Sequence, residues 1–446
     1  MKIEVENSIY SKIDKELLPI AKQLLSFEKE YWKQGQYAKE KNIYQASMVK
    51  RHEVLTGLVP RIVSYLKKKD IKFSISGYNE KLKPTNKPDV KGITFREDQL
   101  RLIEAAIDNQ RGLIISPTGS GKTIIAAGLI SCFKNSKVLF LMHTIDLLHQ
   151  TAKEFEKFGL ENISVMGDGR KDLTGDIVIA TRQTLANIDV KEYFDLFDIT
   201  IVDEAHRVNS VDSQYGKLLT NNLSVMKIGF TATNQKTKEK SLSLEGLIGP
   251  VIGELSLEEG IEKGILCKPR IKLISIPFKP TDTRKYYELY EEQIVNSRAR
   301  NRIIIKEVKK RVSKNKSCLI MIKEIEHGNN LMDIANIMGL SDIVFIQGKT
   351  EGEQRQEVKA ALQDKKIRAV IVTAIWKEGI NIPSLDCIIN AVGGKSEIMT
   401  LQAIGRGLRT FKGKEEVEII DFIDCHKYLS SHFTMRLQIY VKNNWI

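Results

Sequence analysis

Cysteines and long apolar runs are scarce in this chain of 446 residues. No C-x-x-C pair occurs among the five cysteines, which are Cys132, Cys267, Cys318, Cys387 and Cys425. This scatter argues against a disulfide framework and a cysteine-ligated zinc site, and it indicates a reducing compartment. No apolar run approaches the ~20 residues of a membrane span, and the N-terminus lacks the apolar core of a signal peptide. We therefore expect a cytoplasmic protein.

Acidic residues are also in the minority. The chain has 69 Lys and Arg against 56 Asp and Glu, a formal charge of +13 and a pI of about 9.2. An excess of this size favours a polyanionic partner, although a solvated lysine-rich surface has the same composition. With 42% hydrophobic and 28% charged residues, the chain has the composition of a globular protein, and its length predicts two to three domains.

One stretch has the spacing of a phosphate-binding loop. The apolar run 112–115 predicts a buried strand, the run 124–130 predicts a helix, and a Gly-Lys-Thr sequence precedes that helix. Ser116 stands where the first glycine of the motif is usual. The predicted nucleotide-binding residues are Thr118, Gly119, Ser120, Gly121, Lys122 and Thr123. Lys122 would reach the β- and γ-phosphates of ATP and Thr123 would ligate Mg²⁺; the alternative is a glycine-rich turn that binds nothing.

Upstream of this loop, the sequence Phe95-Arg96-Glu97-Asp98-Gln99 opens a predicted helix. In ATPases with this layout an aromatic ring stacks on the adenine and a glutamine reads its edge. Phe95 and Gln99 are therefore the candidates for adenine binding.

Downstream, apolar strand patterns alternate with helical patterns, which predicts a parallel sheet. Ligands of such sheets gather at the carboxyl ends of the strands. Thr144 follows one strand, and Thr181 and Arg182 follow another. We expect these three side chains to contact a sugar–phosphate backbone, with helix capping as the alternative for the two threonines.

The apolar strand at 198–202 ends in Asp203-Glu204-Ala205-His206. A pair of carboxylates at a strand end, about 80 residues after a phosphate loop, is typical of ATP hydrolysis. We therefore expect Asp203 to ligate Mg²⁺ and Glu204 to act as the base that polarises the attacking water. A second strand leads into Thr231-Ala232-Thr233, whose hydroxyls are candidates for reporting the loss of the γ-phosphate.

A second series of strand and helix patterns begins near residue 317. Its Gly-Lys-Thr at 348–350 lacks the phosphate-loop spacing, so Lys349 and Thr350 are interpreted as contacts to a nucleic-acid backbone. Arg406 and Arg409 are spaced by three and share one helix face. Permanently charged guanidinium groups suit a transferring phosphate, so both are candidate arginine fingers.

Residues 1 to about 90 contain 18 Lys and Arg against 11 Asp and Glu, interleaved with aromatic residues. This mixture suits a nucleic-acid surface, whereas the alternative is a small α/β domain whose aromatics form its core. A polar, proline-containing segment at 81–88 indicates a linker.

Together these motifs resemble those of the superfamily 2 helicases. The resemblance covers residues 93 to 446 through the segments 116–123, 203–206, 231–233, 373–383 and 402–409. The sequences around 247–251, 257–266 and 55–61 are similar to the XPB-like DNA repair helicases and to the UvsW-type phage branch-migration helicases. The third motif is Thr-Ala-Thr and Ala403 follows Gln402, which separates the chain from the DEAH-type RNA helicases.

The resemblance implies an α/β fold of two tandem RecA-like domains with ATP and Mg²⁺ as cofactors. It implies that His206 links hydrolysis to Thr231, that Gly379 lies near the ribose, and that Gln402 faces the phosphates with Arg406 and Arg409. Thr373, at the start of a shared motif, is assigned to DNA binding. A viral origin is suggested by the resemblance alone.

We therefore predict a small N-terminal α/β domain for DNA recognition (1–90), an ATP-binding RecA-like domain (91–275) and a C-terminal RecA-like domain (276–446). The predicted activity is DNA-dependent ATP hydrolysis that drives unwinding or branch migration of forked, branched or single-stranded DNA, with 3′ to 5′ polarity by resemblance. A duplex translocase without strand separation and a nucleotide-gated DNA clamp are the alternatives.

Overall fold

The computed structural model describes the chain in two compact units. The described residues are 1–446 without 35–38, 234, 236, 282, 284, 348–351, 374–384, 395–407 and 409–413; the side chains of 31–34, 39–41, 146, 352–353, 355–356 and 359 are also left out of the description. One unit comprises 1–116 with 121–256, and the other comprises 117–120 with 257–446.

The first unit begins with a four-stranded sheet, a two-stranded hairpin and two helices. Their bounds are β1 (Lys2–Val5), β2 (Tyr10–Ile13), α1 (Leu18–Leu24), β3 (Ser26–Gln34), β4 (Lys39–Ser47), β5 (Glu53–Leu55), α2 (Val59–Lys68) and β6 (Ser74–Gly77). The sheet has the order β5-β2-β1-β6, and β3 pairs with β4. Helix α2 has Pro60 in its first turn and two lysines in its last turn, which favour its start and complement its dipole.

An eight-stranded sheet forms the rest of the first unit. Its elements are α3 (Glu97–Asn109), β7 (Arg111–Ile115), α4 (Lys122–Ser131), β8 (Val138–Met142), α5 (Ile145–Lys157), β9 (Ile163–Gly167), β10 (Arg170–Lys171), β11 (Ile177–Thr181), α6 (Arg182–Leu185), β12 (Ile199–Val202), α7 (Gln214–Thr220), β13 (Met226–Thr231), α8 (Lys238–Leu247) and β14 (Val251–Glu254). The order is β10-β9-β11-β8-β12-β13-β7-β14, and only β10 runs antiparallel to its neighbour. Strands β8, β11, β12 and β13 are buried throughout, as continuous apolar runs in a parallel sheet require.

The second unit contains a six-stranded parallel sheet. Its elements are α9 (Leu257–Glu262), β15 (Lys268–Ser275), α10 (Tyr286–Tyr290), α11 (Arg298–Val312), β16 (Cys318–Met321), α12 (Ile325–Ile337), β17 (Ile343–Ile346), α13 (Gly352–Gln363), β18 (Ala369–Val372), β19 (Cys387–Asn390), β20 (Glu416–Ile423) and α14 (Lys427–Lys442). The order is β15-β20-β19-β16-β18-β17. These two parallel sheets and the small N-terminal sheet confirm the predicted fold class.

The predicted domain boundaries differ from this division into units. Strand β15 lies on the N-terminal side of the predicted 275/276 boundary, yet all eight of its residues pair with β20 in the second sheet. The hydrogen-bonding partner of β15 lies about 150 residues further along the chain, so the local pattern contained no sign of it. On either side of the predicted boundary at residue 90, one hydrophobic core runs from the N-terminal sheet into the eight-stranded sheet.

That shared core is reinforced by polar contacts to α8. Arg61 donates from Nε to both carboxylate oxygens of Glu245, at 2.9 and 3.0 Å. A Cβ atom added to Gly57 would lie 2.2 Å from the carbonyl oxygen of Glu245. Half-buried Arg111 donates to the carbonyls of Ser8, Leu247 and Ile248, and desolvation of its guanidinium lowers its pKa to about 10. The N-terminal residues are therefore packed as part of the first unit.

No helix in the described part of the chain has the length and apolar character needed to cross a membrane.

Candidate nucleotide-binding site

The predicted phosphate loop joins the end of β7 to the start of α4. Gly119 and Gly121 have φ angles of +92° and +95°, in the left-handed region that favours glycine. Gly121 is the N-cap of α4. A Cβ atom at Gly121 would lie 2.7 Å from Nε2 of Gln99, so glycine is required there for both backbone and space. The backbone of the segment Thr118–Thr123 therefore has the conformation needed to bind an anion at the N-terminus of a helix.

Lys122 is turned back over this loop. Its Nζ donates to the carbonyl of Ser116 at 3.3 Å. Within the loop, the hydroxyl of Ser120 donates to the carbonyl of Pro117 at 2.8 Å. The backbone N–H of Ser116 donates to the carbonyl of Thr231 at 2.9 Å, which joins the loop to β13. Thr123 follows Lys122 in the first turn of α4.

Gln99 and Phe95 both lie next to this loop and its helix. Gln99 is buried, and its Oε1 accepts a hydrogen bond from the backbone N–H of Arg96 at 3.1 Å. Its Nε2 has no hydrogen-bond partner among the described residues and faces Gly121. The ring of Phe95 packs against α4 at Gly128, where an added Cβ would lie 2.7 Å from two ring atoms. An unused amide donor beside the loop suits a ligand with acceptor atoms.

Asp203 and Glu204 follow β12, which is separated from β7 only by β13. The backbone N–H of Asp203 donates to the carbonyl of Leu141 at 3.0 Å. Burial and, to a smaller extent, the neighbouring Glu204 carboxylate raise the pKa of Asp203 to about 6, although the charge of Lys122 opposes the rise. Glu204 has a φ of +48°, which is uncommon for a residue with a side chain and marks local backbone strain.

His206 connects the carboxylates to the Thr-Ala-Thr segment. Its Nδ1 lies 3.2 Å from Oε2 of Glu204 and 3.3 Å from the hydroxyl oxygen of Thr231. The hydroxyl of Thr231 donates in turn to the carbonyl of Thr233 at 2.8 Å. Gln235 donates from Nε2 to the carbonyl of His206. The residues that follow β12 and β13 therefore form one hydrogen-bonded group.

A basic cluster of His143, Arg182 and Arg207 adjoins this group. Of these three residues, only Arg182 was predicted from the sequence. The guanidinium of Arg182 lies over the ring of buried Tyr215, 5.5 Å from the ring centroid. Burial, together with the charges of Arg207 and Arg182, lowers the pKa of His143 to about 4. Arg207 directly follows His206, and this adjacency was the available signal. Tyr215 lies within α7 and carries no motif, so the sequence contained no signal for it.

Among the predicted DNA contacts, two threonines are helix caps. Thr144 caps α5 by accepting from the N–H of Leu147 at 3.4 Å, and Thr181 caps α6 by accepting from the N–H of Thr184 at 3.3 Å. Thr373 follows β18 and is 4% exposed. Its hydroxyl is buried without a hydrogen-bond partner in the described part of the chain.

Six predicted site residues lie outside the described residues, and their assignments stay predictions. They are Lys349, Thr350, Gly379, Gln402, Arg406 and Arg409.

Two family models match the chain. The model described as "Type III restriction enzyme, res subunit" matches residues 92–236, and the "Helicase conserved C-terminal domain" matches residues 299–411. The first match contains the phosphate loop and the carboxylates, and the second contains Thr373 and the candidate arginine fingers.

Curated relatives include DNA motor proteins of viruses and archaea. The ATP-dependent DNA helicase UvsW of Enterobacteria phage T4 is 26% identical over 71% of this chain and 66% of that protein. The DNA 3′-5′ translocase XPB2 of Sulfurisphaera tokodaii is 24% identical over 74% of this chain and 82% of that protein. The chain spans 65%, 51% and 66% of the lengths of three curated relatives, which include the phage protein.

A solved structure shares the fold. The ATP-dependent Type ISP restriction-modification enzyme LlaBIII bound to DNA has a TM-score of 0.59 and 17% identity, over 86% of this chain and 32% of that one.

Both family models, the relatives and the order of the motifs agree, and the chain belongs to the superfamily 2 helicases, of the type that includes XPB-like and UvsW-like proteins.

Proposed function

We propose that this protein is an ATP-dependent DNA helicase or translocase that unwinds or branch-migrates forked and junction DNA. The observation that carries the proposal is the adjacency of the parallel strands β7, β13 and β12, which brings the phosphate loop with Lys122 and the carboxylates of Asp203 and Glu204 to the same end of the eight-stranded sheet. A cation at the phosphates and two carboxylates beside it are the parts that phosphoryl transfer to water needs.

The residues of this site fit ATP with Mg²⁺. The half-buried carboxyl of Asp203, beside Glu204, has a raised pKa, so a divalent cation would stabilise its ionised form. Asp203 and the hydroxyl of Thr123 would hold the ion, which when bound would neutralise phosphate charge. Glu204 would accept a proton from the attacking water, and Lys122 would hold the β- and γ-phosphates. Gln402, Arg406 and Arg409 keep the roles that family resemblance implies.

DNA is the proposed partner. Supporting observations are the charge of +13 and the basic cluster around Arg182. We assign Thr144, Thr181, Arg182, Lys349, Thr350 and Thr373 to backbone contacts, and residues 1–90 to substrate recognition. The 3′ to 5′ polarity follows the XPB2 relative, and roles in DNA repair and recombination follow the family. The relative in phage T4 favours a viral protein that acts in the cytoplasm of a bacterial host.

Two DNA substrates separate the candidate functions. A helicase displaces a strand from a forked duplex in the presence of ATP, whereas a duplex translocase displaces the third strand of a triplex and leaves the fork intact. A nucleotide-gated clamp does neither while still binding DNA. ATP turnover that DNA does not stimulate, together with no displacement in either assay, would contradict the proposal.

A further inference from the structure

A cavity of about 290 Å³ opens in the first unit, away from the phosphate loop. It lies between the β3–β4 hairpin, the edge strand β5, helix α8 and the loop Ser210–Asp212. Ligand pockets are commonly ~300 Å³ or larger, so this cavity has room for one small aromatic group rather than for a duplex.

The strand register determines which side chains form the walls. Lys29 is paired with Tyr44, and two residues along the hairpin Phe27 is paired with Ala46. Directly paired residues and those two positions away lie on the same face of a ribbon, so these four side chains line one wall together. Across the cavity, Tyr10 is paired with Leu55 in the four-stranded sheet.

The floor of the cavity is apolar and its mouth is aromatic. Phe27 is 7% exposed and Leu55 is 6% exposed, whereas Tyr10 is 37% exposed and Tyr44 is 45% exposed. Tyrosine rings that remain accessible above an apolar floor offer flat surfaces for stacking.

The charged groups that line the cavity are mostly acidic. Lys29 pairs with Glu239 of α8 at 3.4 Å, and Glu53 and Asp212 add two further carboxylates. Lys50 is the remaining cation that lines it. Among the described residues that line the cavity, three carboxylates against two lysines disfavour a phosphate group. The carboxylates suit the amino and imino N–H donors on the edge of a nucleobase.

We propose that this cavity binds one unpaired base of the DNA substrate, stacked against Tyr44 and Tyr10. The inference rests on the proposed function, because it names the form of DNA that the first unit recognises. The cavity also borders the two segments that follow the ATP-site motifs. Loop 210–212 follows His206, and α8 follows the Thr231–Thr233 segment.

The test uses the full-length protein and a forked DNA in which the unpaired nucleotides next to the fork are either normal or abasic. Stacking on an aromatic side chain contributes ~1–3 kcal/mol per base, and at 1.36 kcal/mol per tenfold the expected loss is at least about fivefold. Wild type should lose this affinity when the bases are removed. Tyr44→Ala should bind both forks equally and weakly, and Tyr44→Phe should retain the wild-type preference because it keeps the ring.

Tyr287→Ala is the matched control, since Tyr287 is 64% exposed and lies in the second unit. It should behave as wild type. Equal binding of normal and abasic forks by wild type would overturn the proposal, even if Tyr44→Ala fails to fold. Retention of the normal preference by a folded Tyr44→Ala would overturn it as well. A wild-type protein that shows no DNA-stimulated ATPase would instead overturn the proposed function, so the two failures are distinct.

Discussion

Nδ1 of His206 lies 3.3 Å from the hydroxyl oxygen of Thr231, which connects the ends of two neighbouring strands. The same nitrogen lies 3.2 Å from the Glu204 carboxylate. His206 therefore contacts both Glu204 and the Thr231–Thr233 segment, which precedes α8 in the chain. This arrangement gives the carboxylate at the ATP site a short physical connection to the rest of the first unit.

Glu204→Gln should retain ATP and DNA binding and slow ATP hydrolysis by at least 100-fold, because general-base catalysis contributes roughly 10²–10⁴-fold. The amide keeps the shape of the side chain and cannot accept the proton of water. The measurement is single-turnover hydrolysis beside filter binding of the ATP complex on DNA. Glu161→Gln, at an exposed carboxylate just before β9, is the control. Unchanged turnover in Glu204→Gln would assign the base to another residue.

Lys122→Ala should abolish ATP hydrolysis and weaken ATP binding, because the phosphates lose the cation that the loop holds close to Ser116. Folding should change little, since the Lys122 side chain makes one hydrogen bond of 3.3 Å to the loop. Steady-state ATPase and melting temperature are measured together, with exposed Lys134→Ala as the control. Turnover within a factor of two of wild type would exclude the phosphate-loop assignment.

The nucleotide-binding half of the fold could be predicted from the sequence because its signals are local. A buried strand such as Ile199–Val202 is a continuous apolar run, and the carboxylates predicted to be catalytic come directly after it. The left-handed backbone φ angles of Gly119 and Gly121 lie within the phosphate loop that the motif predicts. Motif spacing and strand direction together therefore placed the site residues at one sheet edge.

The contacts that join distant segments could not be predicted in the same way. An apolar helix face such as that of α8 indicates burial but not which segment covers it. The pairing of Arg61 with Glu245 spans 184 positions, and the pairing of β15 with β20 spans about 150. Tyr215 likewise gains its position beneath Arg182 only when α6 and α7 pack together. Such contacts depend on tertiary structure, for which one sequence contains no local pattern.

Stability in the second unit should fall in acid because of His327. This buried imidazole lies 2.9 Å from Oδ1 of Asn301, and burial lowers its pKa to about 3, with the charge of Arg300 adding to the effect. The unfolded chain takes up the proton near the ordinary pKa of 6.5, before the folded chain does. Stability is therefore complete above about pH 6.5 and falls with pH from there towards pH 3.

At pH 5 this difference amounts to about 2 kcal/mol, or less where the core relaxes. We expect the unfolding midpoint of His327→Gln to fall less between pH 7.5 and pH 5 than that of wild type. His52→Gln, at a partly exposed histidine of the first unit, is the control. Parallel pH profiles for wild type and His327→Gln would contradict the prediction.

Gly57→Ala should destabilise the first unit. The new methyl group would lie 2.2 Å from the carbonyl oxygen of Glu245 and 2.6 Å from that of Gly246, so the backbone of α8 must move. Overpacking of this kind typically costs about 1–3 kcal/mol. The measurement is the melting temperature, and Gly394→Ala is the control because the nearest atom to its added Cβ lies 3.5 Å away. Equal melting temperatures for Gly57→Ala and the control would show that the close approach of Gly57 to α8 does not contribute to stability.

Removal of residues 1–87 should lower both the melting temperature and the ATPase activity, because the deletion exposes a core that both parts of the first unit share. Leu58 and Ile62 are fully buried in it together with Leu242, Leu244 and Leu247 of α8. The segment before Pro88 is also attached to the residue that precedes β7, since Leu82 and Gln110 exchange two hydrogen bonds.

If residues 1–90 only select DNA, the truncated protein keeps its melting temperature and its ATPase at saturating DNA, and only its ratio of junction to single-strand affinity falls. If they also support the fold, the melting temperature falls even without DNA. We expect the second result, and Arg61→Ala, which removes one contact of the same surface, should lower the melting temperature by a smaller amount in the same direction.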